Sequence, residues 1–163
     1  MSEFDDLFAA NNDFVKDFKS QDLTGAAKKG LAIITCMDSR IDPLRIVGMK
    51  AGDAKILRNA GARVTEDVLR TLILATNLLN VTRVLVMPHT DCKMASGTED
   101  QIHAAIFEKS GIDTRSIEIR TVTDQLAALK SDLIRIEKFQ LLTKNISLAG
   151  AIYDVKSGKL TKI

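Results

Sequence analysis

Apolar residues occur along this chain in two kinds of pattern. Short continuous runs rich in β-branched residues are typical of strands buried on both faces of a sheet. Longer segments, in which apolar residues recur every three or four positions, predict amphipathic helices. The predicted strands are 31–35, 54–57 and 83–87, with a further small strand expected at 117–120. The predicted helices are 43–47, 65–79, 98–109 and a long one that begins at Thr121 or Thr123 and ends near Phe139.

Both ends of the chain have patterns of their own. Residues 3–18 predict one or two short helices that carry four of the six phenylalanines. The pattern fits either a segment that covers the chain's own core or one that lies across a partner subunit. Residues 150–155 and 159–161 flank a Lys-Ser-Gly turn, which predicts a hairpin. Strands that alternate with helices indicate an α/β fold, with a mainly parallel sheet flanked by helices and an antiparallel C-terminal edge. The expected organisation is a single domain over 1–163 with an N-terminal helical arm over 1–20.

The composition narrows the class of protein. A chain of 163 residues with 45% hydrophobic and 27% charged residues suits one soluble globular domain. The formal net charge is only +2 and no long basic run is present, which argues against a nucleic-acid binder. No apolar stretch approaches the roughly 20 residues that span a bilayer, and the acidic start lacks the features of a signal peptide. We therefore expect a cytoplasmic protein with neither nucleic-acid nor membrane partners.

Candidate metal ligands follow two of the predicted strands. Cys36 comes directly after the strand 31–35, and His89 and Cys92 follow the strand 83–87. Because the carboxyl ends of parallel strands meet at one edge of a sheet, these three side chains are expected to lie close together. Two thiolates and one imidazole suit Zn²⁺, and three protein ligands leave the fourth position open, as in catalytic zinc sites. A buried cysteine acting as a small hydrophobic residue is the alternative for either thiol.

Asp38 and Arg40 form a second layer beside this site. Two positions apart on one loop, they are expected to form a bidentate ion pair that keeps Asp38 ionised and oriented. Asp38 would then either accept a hydrogen bond from zinc-bound hydroxide or bind the zinc ion directly. The alternative is an ordinary surface ion pair with little energetic weight.

Three motifs together resemble those of the β-class carbonic anhydrases, in particular those of the short bacterial members of this family. They are CMDSR at 36–40, RNAG at 58–61 and HTDC at 89–92. The resemblance extends over nearly the whole chain. It implies a zinc-dependent enzyme, a carbonate dehydratase that converts CO₂ reversibly to bicarbonate and a proton by means of zinc-bound hydroxide.

The resemblance also implies which residues act and how the chains assemble. Cys36, His89 and Cys92 would bind zinc, with Asp38 as an additional ligand in a closed state, and Asp38 and Arg40 would be catalytic. No further cofactor-binding residues are expected, and CO₂ and bicarbonate would be the small-molecule partners. A homodimer or higher homo-oligomer is expected, in which the phenylalanine-rich arm lies across a second subunit.

Three residues depart from this picture or add to it. Lys93 follows the last ligand where the family very often has glycine, so either an extra positive charge near zinc or a strained turn is expected. His103 is expected as a solvated helix residue rather than a proton shuttle. Asp91 is expected to bond to the amides of its own turn.

Two other functions remain open from the sequence. One is a hydrolase of a CO₂-like molecule such as carbon disulfide on the same scaffold, since substrate choice depends on the width of the pocket. The other is a non-catalytic zinc or redox-sensing protein. The presence of Asp38 and Arg40 argues against the second, because a structural zinc site does not need them.

Overall fold

The computed structural model describes residues 2–19 and 23–163 and contains one five-stranded sheet. The strand order is β2-β1-β3-β4-β5, in which the first four strands are parallel and β5 is antiparallel to β4. The strands are β1 (Leu31–Cys36), β2 (Ala54–Asn59), β3 (Arg83–Met87), β4 (Ser147–Tyr153) and β5 (Leu160–Lys162). The predicted fold class, a mainly parallel sheet with an antiparallel C-terminal edge, is confirmed.

Five α-helices are present among the described residues; the first precedes the sheet, and the other four lie between successive parallel strands of the chain. They are α1 (Asp5–Asp17), α2 (Pro43–Ile46), α3 (Glu66–Leu78), α4 (Glu99–Ser110) and α5 (Gln125–Glu137). Their ends follow from local side-chain chemistry, because the first amides of a helix have no partner within it. Thr65 accepts a hydrogen bond from the amide of Val68 at the start of α3. Thr98 and Gln101 form a capping box at α4, which ends at Gly111 with a left-handed φ of 71°.

Apolar side chains cover both faces of the sheet. Successive residues of a strand point to opposite faces, so Ile33 and Ile34 of β1 enter two different clusters, each fully buried. The larger cluster includes Leu72 of α3 and Leu129 of α5. The smaller one includes both cysteines. The candidate ligands therefore lie at the border of a rigid core.

The structure corrects the sequence-based boundaries of β2. Its strand continues through Arg58 and Asn59, which were expected to be loop, because they pair in parallel register with Thr35 and Cys36. Pairing with the buried strand β1 thus extends β2 beyond the apolar residues 54–57 from which it was predicted.

Residues 117–120 are not a strand, although their side chains alternate in polarity. The backbone amides of Ile119, Arg120 and Thr121 donate to the carboxylate of Glu99 instead of to a neighbouring strand. The predicted start of the last helix at Thr121 or Thr123 is also wrong. The amide and the hydroxyl of Thr121 both donate to Glu99, so this residue belongs to the segment before the helix.

The cap of α5 is Asp124, whose side chain accepts from the amide of Ala127. The helix accordingly begins at Gln125 rather than after Thr121 or Thr123, and it ends at Glu137, two residues before Phe139.

The N-terminal residues form one continuous helix, α1, in which no residue is buried. Residues 1 and 20 of the expected arm lie outside the described residues, so the arm 1–20 and the single-domain organisation stay predictions. None of the helices in residues 2–19 and 23–163 combines the length and the apolar character that a bilayer crossing requires.

Candidate metal centre

Adjacent parallel strands bring the three candidate ligands together. Cys36 is the last residue of β1, and His89 and Cys92 follow the end of the neighbouring strand β3. One donor atom from each residue lies within 4.8 Å of the other two, and all three side chains are buried. Cys36 and Cys92 are free thiols with their sulfur atoms 3.9 Å apart.

The imidazole of His89 is oriented by a hydrogen bond on its other side. Its Nδ1 lies 2.8 Å from the backbone carbonyl oxygen of Thr90. Because a carbonyl only accepts, Nδ1 carries the proton and Nε2 presents a lone pair. His89 Nε2 is buried and has no hydrogen-bond partner, alone among the buried side-chain nitrogen and oxygen atoms of the described residues. A lone pair so placed fits a metal ion.

The two thiols differ in their surroundings. Burial, together with the neighbouring Cys36, raises the pKa of the Cys92 thiol to about 11. Cys36 Sγ instead receives a hydrogen bond from the amide of Gly61 at 3.4 Å. The two sulfurs and the imidazole lone pair form a donor set that zinc prefers.

Asp38 and Arg40 form the bidentate pair that their spacing suggests. Arg40 Nε donates to Oδ1 of Asp38 at 2.9 Å, and Nη2 donates to Oδ2 at 2.7 Å. These hydrogen bonds, with one from the Arg40 amide, hold the pKa of the Asp38 carboxyl well below its usual range. Asp38 Oδ2 also lies 3.8 Å from Nε2 of His89, at the edge of the ligand cluster.

Asp91 holds the far side of the same guanidinium. Arg40 Nη1 donates to Oδ2 of Asp91 at 2.7 Å, and Nη2 donates to its backbone carbonyl at 3.0 Å. Arg40 lowers the pKa of the Asp91 carboxyl. The expectation that Asp91 bonds to its own turn is therefore wrong. The position of Asp91 between His89 and Cys92 in the sequence is the one signal that could have indicated its contact with Arg40.

Two further contacts reach the cluster from α5, and no sequence pattern indicates them. Gln125 Nε2 donates to the backbone carbonyl of His89 at 2.6 Å. Asp132 accepts from the guanidinium of Arg63, which belongs to the turn that carries Gly61.

Lys93 and His103 behave differently from expectation. Lys93 begins an ordinary 3₁₀ turn, Lys93–Ala95, and is not among the described residues that have a positive φ. The turn is therefore not strained at Lys93. Its side chain is exposed. His103, expected to be solvated, is buried and lies 2.8 Å from the hydroxyl of Thr114. The loop after α4 covers it, which the helical pattern of α4 alone does not reveal.

Comparisons with known proteins agree with this geometry. A family model described as carbonic anhydrase matches residues 31–113. The chain is 38% identical to β-carbonic anhydrase 1 of Mycobacterium tuberculosis, over 100% of this chain and 99% of that protein. It superposes on the crystal structure of carbonic anhydrase from Streptococcus mutans with a TM-score of 0.92 and 33% identity, covering 100% and 98% of the two chains. A carbon disulfide hydrolase of Saccharolobus solfataricus is 29% identical, over 90% of this chain and 84% of that protein.

Proposed function

Since this chain belongs to the β-class carbonic anhydrases, we propose that Cys36, His89 and Cys92 hold the zinc ion on which its activity depends. The activity is the reversible hydration of CO₂ to bicarbonate and a proton, catalysed by a zinc-dependent lyase. The family resemblance of the three sequence motifs is thereby confirmed. The roles of the individual residues follow from the distances between them.

The donor atoms fit zinc in number, type and spacing. Zn–S bonds of about 2.3 Å in a tetrahedral site place two sulfur atoms about 3.8 Å apart. The two sulfurs of Cys36 and Cys92 are 3.9 Å apart, and His89 Nε2 supplies the unpaired third donor. The unpaired nitrogen is the observation that carries the proposal, because a buried lone pair without a partner is costly. When bound, zinc lowers the pKa of a coordinated water from 15.7 to ~7, which supplies a nucleophile at neutral pH.

Asp38 orients the reaction. Kept ionised by Arg40, it accepts a hydrogen bond at Oδ2 from the attacking nucleophile and turns a lone pair of that oxygen towards the carbon of CO₂. Arg40 contributes by fixing the carboxylate through two side-chain hydrogen bonds, so that it does not rotate away.

Asp38 is also the candidate for a fourth ligand that would close the site. Both of its oxygens accept from Arg40, and its nearer oxygen is 3.8 Å from His89 Nε2. Direct ligation would require these hydrogen bonds to break. We therefore propose the open, Arg40-paired arrangement as the working state, with Asp38 as an orienting group rather than a metal ligand.

Two other functions have less support from the structure and the relatives of this chain. A carbon disulfide hydrolase relative is less similar to this chain than the β-carbonic anhydrase relatives, at 29% against 38% identity. A non-catalytic zinc or redox-sensing protein would have no use for the Asp38–Arg40 pair at the edge of the ligand cluster. CO₂ and bicarbonate are thus the proposed substrates.

The proposed assembly is a homodimer or a higher homo-oligomer. The six large apolar side chains of α1 and its two flanking residues are 58–69% exposed, which is unusual for a surface that stays in water. They occupy positions 4, 7, 8, 14, 15 and 18, which fall on one face of a helix with 3.6 residues per turn. A second copy of the chain is the partner that we propose for this face. We also propose a cytoplasmic location, because neither cysteine forms a disulfide and reduced cysteines suit a reducing compartment.

One experiment on one purified sample tests the function. Zinc content and stopped-flow CO₂ hydration are measured between about pH 6.5 and 9, before and after a chelator and after zinc is restored. We expect about one zinc ion per chain, loss of activity on its removal, and recovery on its return. The reactivity of the only two thiols should rise when zinc is removed.

His89→Ala should lose the metal, whereas His103→Ala, which removes the other histidine, should keep it. Zinc-loaded protein that hydrolyses carbon disulfide but does not hydrate CO₂ would transfer the assignment to the first alternative.

A further inference from the structure

We propose that α5 positions the metal centre through Gln125 and Asp132, which fix the places of His89 and Cys36. The inference rests on the proposed function, in which these two residues bind zinc. Gln125 and Asp132 are seven residues apart, which is about two helical turns, so they lie on the same face of α5. Both are positioning residues that act through the backbone of other segments.

The shorter connection runs to His89. Gln125 Nε2 donates to the backbone carbonyl of His89 at 2.6 Å. The next backbone carbonyl, that of Thr90, accepts from the imidazole of His89. The turn that sets the direction of Nε2 is therefore fixed at two successive carbonyls, one of them by α5.

The longer connection begins at a nearly buried ion pair. Asp132 accepts from Nε of Arg63 at 2.8 Å and from Nη2 at 3.4 Å, and its side chain is only 6% exposed. The Arg63 side chain is 19% exposed, and its Nη1 donates to the backbone carbonyl of Arg120 at 3.4 Å. A pair so shielded from water holds its geometry more firmly than an exposed pair does.

Arg63 closes the turn that reaches Cys36. The side chain of Asn59 accepts from the amide of Arg63 at 2.9 Å and donates to its carbonyl at 2.7 Å. Inside this closed turn, Gly61 and Ala62 adopt left-handed φ values of 80° and 59°. That conformation directs the Gly61 amide at Cys36 Sγ, 3.4 Å away. A side chain at Gly61 would meet Met94 at 3.1 Å, so the turn is also packed from the opposite side.

The amide contact matters for a thiolate. An N–H group that donates to sulfur stabilises the charged form and fixes the direction of the sulfur lone pairs. Outer contacts of this kind change metal affinity by about 10–100-fold when they are removed. Loosening Arg63 from Asp132 should therefore weaken the hold of Cys36 on zinc, although neither residue touches the metal.

The test measures the rate at which zinc passes from the holoprotein to an excess of chelator, together with the thiolate-to-metal absorption band of cobalt-substituted protein. We expect Asp132→Asn and Gln125→Leu each to speed zinc release about tenfold. Asp132→Asn should also shift the cobalt band. The matched control is Ile136→Ala on the same helix, whose buried side chain packs in the larger core cluster rather than in the one that contains Cys36. It should lower the melting temperature but leave the release rate and the band unchanged.

A second pair of variants keeps the inference testable if Asp132→Asn folds poorly. Arg63→Leu with Asp132→Leu replaces the ion pair by apolar side chains, which buried pairs often tolerate. This double variant should release zinc as fast as Arg63→Leu alone, because both break the same connection. Release rates and bands equal to those of Ile136→Ala would overturn the inference. A wild-type protein that holds no zinc would instead overturn the proposed function.

Discussion

Arg40 donates a 2.7 Å hydrogen bond from Nη1 to Oδ2 of Asp91, while its other side binds Asp38. One guanidinium thus joins the loop after β1 to the loop after β3. Asp91 adopts a left-handed φ of 56°, which turns its carboxylate and its carbonyl towards the same arginine. The loops that follow β1 and β3 are therefore held to each other beside the candidate ligands.

Asp91→Asn should weaken this fastening without disturbing the backbone, since asparagine accepts left-handed φ nearly as readily as aspartate. The backbone carbonyl of residue 91 still accepts from Arg40 in this variant. We expect kcat/KM for CO₂ hydration to fall by less than about fivefold, as for other exposed ion pairs. Zinc content should not change. A loss of hundredfold or more would mean that Asp91 acts directly in the reaction.

Asp38→Ala tests the orienting role. Misdirected attack typically costs about 10²-fold in rate, and we expect a loss of that size in kcat with full zinc content. Stopped-flow CO₂ hydration and metal analysis of the same sample provide the measurement. Asp67→Asn, which removes an exposed carboxylate paired with Arg70 on α3, is the control and should retain wild-type activity. Unchanged activity of Asp38→Ala at every pH would remove this residue from the mechanism.

Glu66→Gln tests how acid destabilises the fold. A hydrogen bond from Arg135, supported by Arg120, lowers the pKa of Glu66 from 4.5 to about 2. Between these values the unfolded chain binds a proton that the folded chain does not, so this contribution to stability is present above about pH 4.5 and is lost as the pH falls towards 2. Thermal unfolding of the metal-free protein at about pH 6 and about pH 3 measures it. The melting temperature should drop less for Glu66→Gln, and for Arg135→Gln, than for wild type; equal drops would contradict the assignment.

Lys93→Gly restores the residue that is common in the family and tests whether the turn is strained. Because Lys93 already has an ordinary 3₁₀ conformation, glycine relieves nothing. We expect kcat/KM to change by less than about threefold and the free energy of unfolding to fall by about 0.5–1 kcal/mol, the usual backbone cost of glycine. Urea unfolding and stopped flow measure the two quantities. A stabilised and much faster enzyme would show that lysine distorts the site.

Phe8→Glu tests the proposed assembly through α1. Phe8 is 69% exposed, and a charge on the apolar face of the helix should oppose contact with a second copy. Light scattering after size-exclusion chromatography should give a dimer or larger species for wild type and a smaller species for the variant. Ala9→Glu adds the same charge to the opposite side of the helix and should leave the mass unchanged. A monomeric wild type would contradict the assembly itself.

The sequence was most informative where one local rule decides the outcome. Cap residues such as Thr65 and Thr98 placed the starts of two helices, because the first amides of a helix need nearby acceptors. The closeness of Cys36 to His89 followed from the geometry of parallel strands rather than from any distance along the chain.

Contacts between distant side chains were beyond the reach of sequence patterns. The alternation at 117–120 resembled a strand until Glu99, about twenty residues earlier, was found to accept its amides. Arg40 met Asp91 across 51 positions, and Arg63 met Asp132 across 69. Such pairs depend on how whole elements dock, which the periodicity of one segment does not encode.

The adjacency of β1 and β3 has a consequence for the order of events during folding. Cys36 and Cys92 are 56 positions apart, and their strands are held in register by pairs such as Thr35 with Met87. Closing so large a loop is entropically unfavourable, which makes parallel pairing a slow and late step. We therefore expect the nascent chain to present only the local pair His89 and Cys92 at first, with Cys36 joining them when the sheet closes. With the proposed ligands, we therefore expect metal binding to complete the folding of this chain rather than to start it.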